Sequence, residues 1–163
     1  MLLAFIAVIY AINGFLVDFV GDVTGLNILI QESTQGQFKG FSLEYILGQI
    51  FRVLAFAMGI DWADSLQVGS LLGQKTVINE FIAYSSLAEM KATGEISNKS
   101  IVIATYALCG FSNFSSIAIQ IGGIGGMAPN QQGELSKLGF WALLAASLAC
   151  MMTATVAGMM SFT

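Results

Sequence analysis

The sequence contains no histidine, one proline and two cysteines, and its six lysines and arginines are scattered singly through 163 residues. Zinc centres use clustered histidine and cysteine, and disulfide frameworks need several cysteines, so neither is expected here. Cys109 and Cys150 lie far apart in apolar surroundings, where each is expected to act as a small buried hydrophobic residue. Because the net charge is −4 and no basic cluster exists, a nucleic-acid partner is excluded as well.

Charge of either sign is scarce, at 10% of residues, whereas hydrophobic residues make up 56% and the mean hydropathy is +0.78. Residues 100–133 and 138–163 contain no Asp, Glu, Lys or Arg, and each run is long enough to cross a hydrocarbon core of about 30 Å. A soluble all-α core would alternate with charged faces. Met1 leads directly into apolar residues without the features of a signal peptide, which predicts a membrane helix at the start.

The first third of the chain divides into an apolar segment, a polar segment and an amphipathic segment. Residues 1–20 form the apolar span, and the glycine-rich residues 21–40 are predicted to be a loop. Ser42 is a suitable cap for an amphipathic helix over 42–58, which carries only two charges. Such a helix belongs at the membrane interface or against another protein surface rather than across the bilayer.

Residues 62–88 are predicted to form a re-entrant helical hairpin, with Asp61 as the N-cap of its first arm. About twelve residues at 1.5 Å each give about 18 Å, which reaches the bilayer midplane without crossing it. The tip between the arms contains Lys75, Asn79 and Glu80 within an otherwise apolar region. Ionisable groups at membrane depth face a protein interior or a wet cavity and mark a binding site, so the tip predicts both a packing partner and a site.

A second interruption lies in residues 100–127, which are predicted to be a discontinuous transmembrane helix beginning after Ser97, whereas 134–161 are a continuous one. Two interrupted elements with polar groups near the midplane are typical of the substrate site of a secondary transporter. The carboxylate of Glu80, with nearby amides and hydroxyls, suits a hydroxylated ligand such as a sugar. The polar candidates are Glu80, Asn79, Asn113, Ser112, Ser115 and Ser116, and the apolar walls are Phe81, Phe111 and Phe114.

Each of these polar groups also has a purely structural alternative. Glu80 can pair with Lys75 to hold the hairpin tip, and the serines can bond carbonyl groups that the helix break leaves free. A hydrolase using Ser115 or Ser116 would lack a histidine base, so the chain is not expected to be an enzyme. A channel is disfavoured because a closed tip with polar residues suits a site that holds its ligand and then moves.

Four motifs carry a family resemblance: GQK at 73–75, NEFIAY at 79–84, ATYALCGFSNFSSI at 104–117 and QIGG at 120–123. Together they closely resemble the C-terminal half of the concentrative nucleoside transporters. By this resemblance the chain is an all-α membrane protein with these elements: a scaffold helix (1–20), a surface helix (42–58), a re-entrant hairpin (62–88), a discontinuous helix (100–127) and a last transmembrane helix (134–161).

The resemblance implies a homotrimeric symporter coupled to sodium or to protons, with sodium favoured, in which a transport domain moves through the lipid bilayer in elevator fashion. It further implies a multi-pass protein of the cell (inner) membrane whose substrates are nucleosides such as uridine. Glu80, Asn113 and Ser116 would hold the ribose hydroxyls, and Phe111 would line the pocket. No cofactor is implied beyond the coupling ion, Na⁺ or H⁺.

The family's first hairpin, which contacts the nucleobase and helps to form the sodium site, has no counterpart in this sequence. The N-terminal half is therefore expected to be absent, with the coupling-ion site outside this chain and no metal site within it. The alternative from a different class is a membrane-embedded structural fragment that is inactive in transport. The choice between purines and pyrimidines depends on residues outside this chain, and residues 31–40 have no assigned role.

Overall fold

The computed structural model describes residues 2–34 and 36–161, with side chains from residue 7 onward. Met1 and Gln35, which belong to the predicted segments 1–20 and 31–40, lie outside the described residues. Every regular element in the described part is helical. The elements are α1 (Leu2–Gly14), a π-helical continuation (Phe15–Gly21), α2 (Asp22–Thr24), α3 (Leu26–Ser33), α4 (Leu43–Ala57), α5 (Ser65–Val77), α6 (Glu80–Thr93), α7 (Asn98–Leu108), α8 (Phe114–Met127), a 3-10 turn (Pro129–Gln131) and α9 (Gln132–Met160).

Two helical stretches, Ala7–Thr24 and Pro129–Met160, are long and apolar enough to cross a membrane by length and composition. Only 6% and 11% of their most apolar windows are buried inside the chain. A core helix of a soluble protein would bury an apolar stripe against its neighbours. These two helices instead turn most of their apolar side chains outward, as a lipid-facing helix does.

The glycine-rich region 21–40 departs from the prediction of a loop, which is wrong for Leu26–Ser33 because these residues form α3. Gly25 adopts a left-handed φ of 73°, so the chain turns sharply between α2 and α3 at a position where a side chain would be strained. After α3, the described residues of this region, Thr34 and 36–40, are irregular.

A buried asparagine holds this turn together. Asn27 donates hydrogen bonds to the Val17 carbonyl oxygen at 2.9 Å and to Oδ1 of Asp22 at 2.6 Å. Its own Oδ1 accepts from the Phe41 amide at 2.8 Å. Because an unsatisfied buried amide is costly, this set of bonds fixes the loop after α3 against the end of the π-helical segment. Gln31 also donates to the Lys39 carbonyl oxygen at 2.6 Å, so the described residues after α3 form a structural connection.

Helix α4 packs closely along α5. Its N-cap is Ser42, as predicted, and the hydroxyl accepts a first-turn amide at 3.1 Å. Glycines allow the contact: a Cβ added at Gly69 would lie 2.6 Å from the Gly48 carbonyl oxygen, and one at Gly73 would overlap the Leu47 side chain. Close backbone approach of this kind requires residues without a side chain. Helix α4 therefore lies against protein, on the first arm of the pair formed by α5 and α6.

The start of α5 differs from the prediction that Asp61 caps a helix beginning at Trp62. That prediction is wrong, since α5 begins at Ser65, three residues later, after a turn. Asp61 instead lies 3.8 Å from Lys99 in an exposed ion pair. The residue at the N-cap position is Asp64, whose side chain makes no capping bond to α5.

Asp64 binds the start of α7 instead. Its Oδ2 accepts hydrogen bonds from the Ser97 amide at 3.0 Å and from the Ser100 hydroxyl at 2.6 Å. Partial burial acts to raise the pKa of the Asp64 carboxyl, but the hydrogen bonds from Ser100 and Ser97 outweigh burial, so this pKa lies below its ordinary value. The charged carboxylate of Asp64 therefore links the N-terminal end of α5 to the N-terminal end of α7.

Replacing Asp64 is expected to destabilise the fold. Asp64→Ala should lower the free energy of unfolding by about 1 to 3 kcal/mol, because hydrogen bonds to a charged group usually contribute about 1.5 to 3 kcal/mol and the partial exposure of Asp64 reduces this. Because the folded pKa is depressed, this stabilisation is complete above the ordinary aspartate pKa of about 3.9 and is lost as pH falls through the folded value. Thermal unfolding of the complete protein in detergent should show a lower Tm for Asp64→Ala than for the unaltered protein at pH 7, and this difference should narrow below pH 4.

Asp61→Ala is the matched control, because the Asp61 side chain is 70% exposed and its ion pair is long. Exposed pairs of this kind contribute little, so this variant should unfold close to the unaltered protein. Equal Tm values for Asp64→Ala and the unaltered protein at pH 7 would show that the Asp64 bonds do not stabilise the fold.

The main apolar core lies between α5, α6, α7 and α9. Helices α5 and α6 pack side by side around a bend at Ile78 and Asn79, and we call this pair the α5–α6 hairpin. Its core residues include Val68, Leu71, Leu72, Ala83, Leu87, Ile103, Ala104, Leu108 and Ala154. The core holds both arms of the hairpin against α7, so the bend lies beside the end of that helix.

Candidate functional site

Two helix breaks are capped in the same way. At the hairpin bend, Asn79 is extended (φ −170°, ψ 169°) and its side chain accepts the Ile82 amide at 3.0 Å. Between α7 and α8, Asn113 is extended (φ −143°, ψ 164°) and accepts the Ser116 amide at 2.7 Å. Asparagine is among the preferred N-cap residues because its oxygen replaces a missing helical acceptor. Both asparagines named from the sequence are thus N-caps, of α6 and α8.

The two breaks contact each other. Asn113 Nδ2 donates to Oε2 of Glu80, the first residue of α6, at 2.8 Å. The Ser115 hydroxyl donates to the Ile78 carbonyl at 3.2 Å, so one break supplies a donor to a carbonyl that the other leaves free. Helix N-termini carry positive partial charge, which favours the carboxylate of Glu80 at this position. The structure therefore joins the N-terminal ends of α6 and α8 through side chains more than thirty residues apart.

Lys75 does not pair with Glu80, contrary to the structural alternative considered from the sequence. Lys75 is 3% exposed, and its Nζ donates to the Ala107 carbonyl oxygen at 2.8 Å, in the last turn of α7. Ion pairs among the described residues include Lys99 with Asp61 and Lys137 with Glu134. Helix C-termini carry negative partial charge, so the end of α7 is a favourable place for a buried ammonium group.

A cavity of about 140 Å³ lies between the broken segment and α9. Three of the four predicted substrate-binding residues line it: Phe111, Asn113 and Ser116. The fourth, Glu80, lies outside the wall and is linked to it through Asn113. The remaining wall residues are Ser112, Ile117, Gln120, Ile121, Leu135, Gly139, Ala142, Leu143 and Ala146. The cavity thus has a polar wall from the helix break and an apolar wall of mostly small side chains from α9.

The three phenylalanines named from the sequence differ in position. Phe111 lines the cavity, yet 80% of the residue is exposed, while Phe81 and Phe114 are exposed and do not line it. The cavity also contains Gln120, which the sequence analysis did not single out as a binding residue. Gln120 follows Asn113 by seven positions and Ser116 by four, a spacing that places all three on one helix face and that the sequence already contains.

Paired breaks with polar caps, next to long outward-facing apolar helices, are features of a membrane protein of the secondary-transporter class. Residues 1–158 match the family model described as Na⁺ dependent nucleoside transporter C-terminus. The chain belongs to the concentrative nucleoside transporter family, which is a transporter family and not an enzyme family, and the prediction of this family is confirmed.

Individual relatives agree with this assignment. The chain is 46% identical over 159 residues to the uncharacterized transporter YutK of Bacillus subtilis, covering 98% of this chain and 36% of that protein. It is 41% identical over 139 residues to solute carrier family 28 member 3 of Homo sapiens, covering 77% of this chain and 20% of that protein. The fold is similar to the structure of CNTnw in an inward-facing substrate-bound state, with a TM-score of 0.80 and 39% identity over 96% of this chain. The chain spans about a third of the length of YutK and CNTnw, at 36% and 35%.

Proposed function

We propose that this chain supplies the ribose side of the substrate site in a cation-coupled nucleoside symporter. The observation that carries the proposal is the 2.8 Å hydrogen bond from Asn113 to Glu80, which brings a carboxylate, an amide and a helix break together. A ribose presents neighbouring hydroxyl groups that can donate to a carboxylate and accept from an amide. The family described as Na⁺ dependent nucleoside transporters makes a nucleoside the natural ligand of such a site.

The hydrogen-bonding capacity left at the site supports this role. Oε2 of Glu80 accepts from Asn113, which leaves Oε1 to accept from a ribose hydroxyl. Asn113 uses its oxygen for Ser116 and one amide hydrogen for Glu80, so its second amide hydrogen can donate to the ligand. In this arrangement Glu80 anchors the sugar, Asn113 orients Glu80, and Ser116 accepts from a ligand hydroxyl. Phe111 supplies an apolar surface for the face of the nucleoside.

The coupling ion is proposed to be sodium rather than a proton. The family description names Na⁺, and the chain is 36% identical over 172 residues to sodium/nucleoside cotransporter 1 of Sus scrofa, covering 98% of this chain and 25% of that protein. Within residues 2–34 and 36–161, no group of three or more His, Cys, Asp or Glu side chains is arranged to hold a metal ion. We propose that the ion site lies in the rest of the transporter.

The membrane arrangement is part of the same proposal. We assign α1 to a scaffold helix, α4 to a surface helix, and the α5–α6 hairpin to a re-entrant element, in a homotrimer that works by elevator motion in the cell (inner) membrane as a multi-pass protein. Helix α5 has 13 residues, about 20 Å at 1.5 Å each, which suits an arm that reaches the midplane. Its polar bend is covered by α8 through Ser115, as non-helical backbone at that depth requires.

Glu80→Gln is expected to weaken uridine binding by about 1 to 3 kcal/mol, because the amide retains the shape but loses the charge and one acceptor. The test is uptake of labelled uridine into proteoliposomes containing the complete protein, with and without an inward sodium gradient. Glu89→Gln is the matched control, since Glu89 is an exposed residue of the same helix, α6. It should take up uridine like the unaltered protein.

The outcomes separate the parts of the proposal. Unchanged uridine affinity in Glu80→Gln would reject Glu80 as the ribose anchor. Uridine uptake that is driven by a proton gradient and does not depend on sodium would change only the assignment of the coupling ion. If neither gradient drove uridine uptake, a membrane-embedded structural fragment inactive in transport would be the better description.

A further inference from the structure

A buried hydroxyl group without a partner lies in the wall of the cavity between α8 and α9. Ser112 is 2% exposed, and its Oγ makes no hydrogen bond within the described part of the chain. Burying a hydroxyl without a partner is unfavourable, and such groups in native proteins call for an explanation. Ser112 lies between Phe111 and Asn113, and all three line this cavity.

The neighbouring serines show that the lack of a partner is particular to Ser112. Ser115 donates to the Ile78 carbonyl at 3.2 Å, and Ser116 donates to Asn113 Oδ1 at 2.9 Å. Both therefore satisfy the structural alternative in which serines at a helix break bond groups of the protein itself. Ser112 does not, although it belongs to the same break and is more deeply buried than either.

The α9 side of the cavity does not offer Ser112 a substitute partner. The side facing the break is made of α9 residues such as Leu135, Ala142 and Ala146, which have no polar side-chain atoms. The cavity volume of about 140 Å³ is many times the minimum of about 10 to 15 Å³ that a single water molecule needs. The space beside Ser112 is therefore large enough for a polar part of a ligand.

We infer that Ser112 is a further substrate-contacting residue, whose hydroxyl forms a hydrogen bond with one hydroxyl of the nucleoside ribose. The inference rests on the proposed function and deepens it, because it adds a specificity-determining group that depends on which hydroxyls the sugar carries. A hydroxyl both donates and accepts, so Ser112 can pair with a ribose hydroxyl whichever way that group points. A sugar lacking this hydroxyl would leave Ser112 unsatisfied and would bind more weakly.

The test compares Ser112→Ala with the unaltered complete protein, using uridine and its 2′-, 3′- and 5′-deoxy analogues as competitors of labelled uridine uptake. Loss of one neutral hydrogen bond should weaken uridine binding about 3- to 10-fold in Ser112→Ala. For the one analogue that lacks the contacted hydroxyl, the variant and the unaltered protein should bind equally. This is a double-mutant cycle in which one partner is the ligand, so it isolates the contact from general effects on packing.

Two further variants keep the test decisive. Ser115→Ala is the control, since the Ser115 hydroxyl already has a protein partner. This variant should change the affinities for uridine and the three analogues by the same factor. Ser112→Cys keeps nearly the same volume with a much weaker hydrogen-bonding group, and it should reproduce Ser112→Ala if the alanine variant assembles poorly.

If the Ser112 variants changed the affinities for uridine and all three analogues by the same factor, the inference would be overturned. Unchanged uridine affinity in both Ser112 variants would also overturn it. These results leave the proposed function standing, because the unaltered protein still transports uridine. Absence of saturable nucleoside uptake by the unaltered protein would instead overturn the proposed function, and the inference with it.

Discussion

Asn113→Ala is expected to abolish measurable nucleoside binding while the protein remains assembled. The side-chain oxygen of Asn113 caps α8 by accepting from the Ser116 backbone amide at 2.7 Å, and its side-chain nitrogen donates to the Glu80 carboxylate at 2.8 Å. Loss of an N-cap costs about 0.5 to 2 kcal/mol, and loss of a hydrogen bond to a charged group about 1.5 to 3 kcal/mol. Because the ligand must then restore this geometry when it binds, about 2 to 5 kcal/mol is lost from its binding free energy, which is between about 30-fold and several thousand-fold in affinity.

The loss should be confined to the site, because the helices around it have other contacts. Helix α8 packs on α9, with the Ile117 side chain touching Gly139, and the core between α5, α7 and α9 does not include Asn113. Uridine binding should be measured on the complete protein, and size-exclusion chromatography should report whether it stays assembled. We expect normal elution together with lost binding.

Asn79→Ala is the matched control, since Asn79 caps α6 in the same way and has no bond to Glu80. It should lose only the cap, about 0.5 to 2 kcal/mol, and so should weaken binding far less than Asn113→Ala. A correctly assembled Asn113→Ala protein that bound uridine normally would show that Asn113 is only a helix cap.

Gly69→Ala is expected to prevent α4 from packing on α5. A Cβ at this position would lie 2.6 Å from the Gly48 carbonyl oxygen and 2.9 Å from the Arg52 amide nitrogen. Both neighbours are backbone atoms, so no side-chain rotation can relieve the overlap and the two helices must move apart. Overpacking of a core usually costs about 1 to 3 kcal/mol, and we expect this backbone overlap to reach or exceed the upper figure.

This destabilisation should appear although alanine favours a helix over glycine by about 1 kcal/mol. Gly122→Ala is the control: Gly122 lies inside α8, and a Cβ there meets nothing within 4 Å. It should be neutral or slightly stabilising. Thermal unfolding and the yield of monodisperse protein in detergent compare the two variants. A Gly69→Ala protein as stable as Gly122→Ala would contradict the close contact between α4 and α5.

Features that depend on neighbours three or four positions away were open to sequence reasoning. Ser42 and Ser97 are N-caps in the structure, because a capping side chain bonds an amide within its own first turn. The motifs around Glu80 and Asn113 identified the family, as the comparisons confirm. The prediction of Asp61 as an N-cap was wrong. Asp61 is a suitable capping residue, but the residues after it form a turn and the helix begins only at Ser65.

The choice of partner for each polar group was not open to sequence reasoning. Lys75 and Glu80 lie five positions apart and carry opposite charges, yet Lys75 bonds Ala107 and Glu80 bonds Asn113. These partners lie 32 and 33 positions away, and they reach the hairpin only because the core packs α7 against α5 and α6. Pair formation over such separations depends on helix packing, which local spacing does not encode.

The sequence by itself determined the class of protein, the family and the presence of two helix breaks, because apolar run length, capping residues and motif spacing are local properties. Only the tertiary structure decided that the two breaks contact each other, that Asp64 binds α7, and that Ser112 alone among the three serines has no partner among the described residues. The physical reason is that a hydrogen bond or an overlap between distant residues exists only after helix packing has fixed their distance.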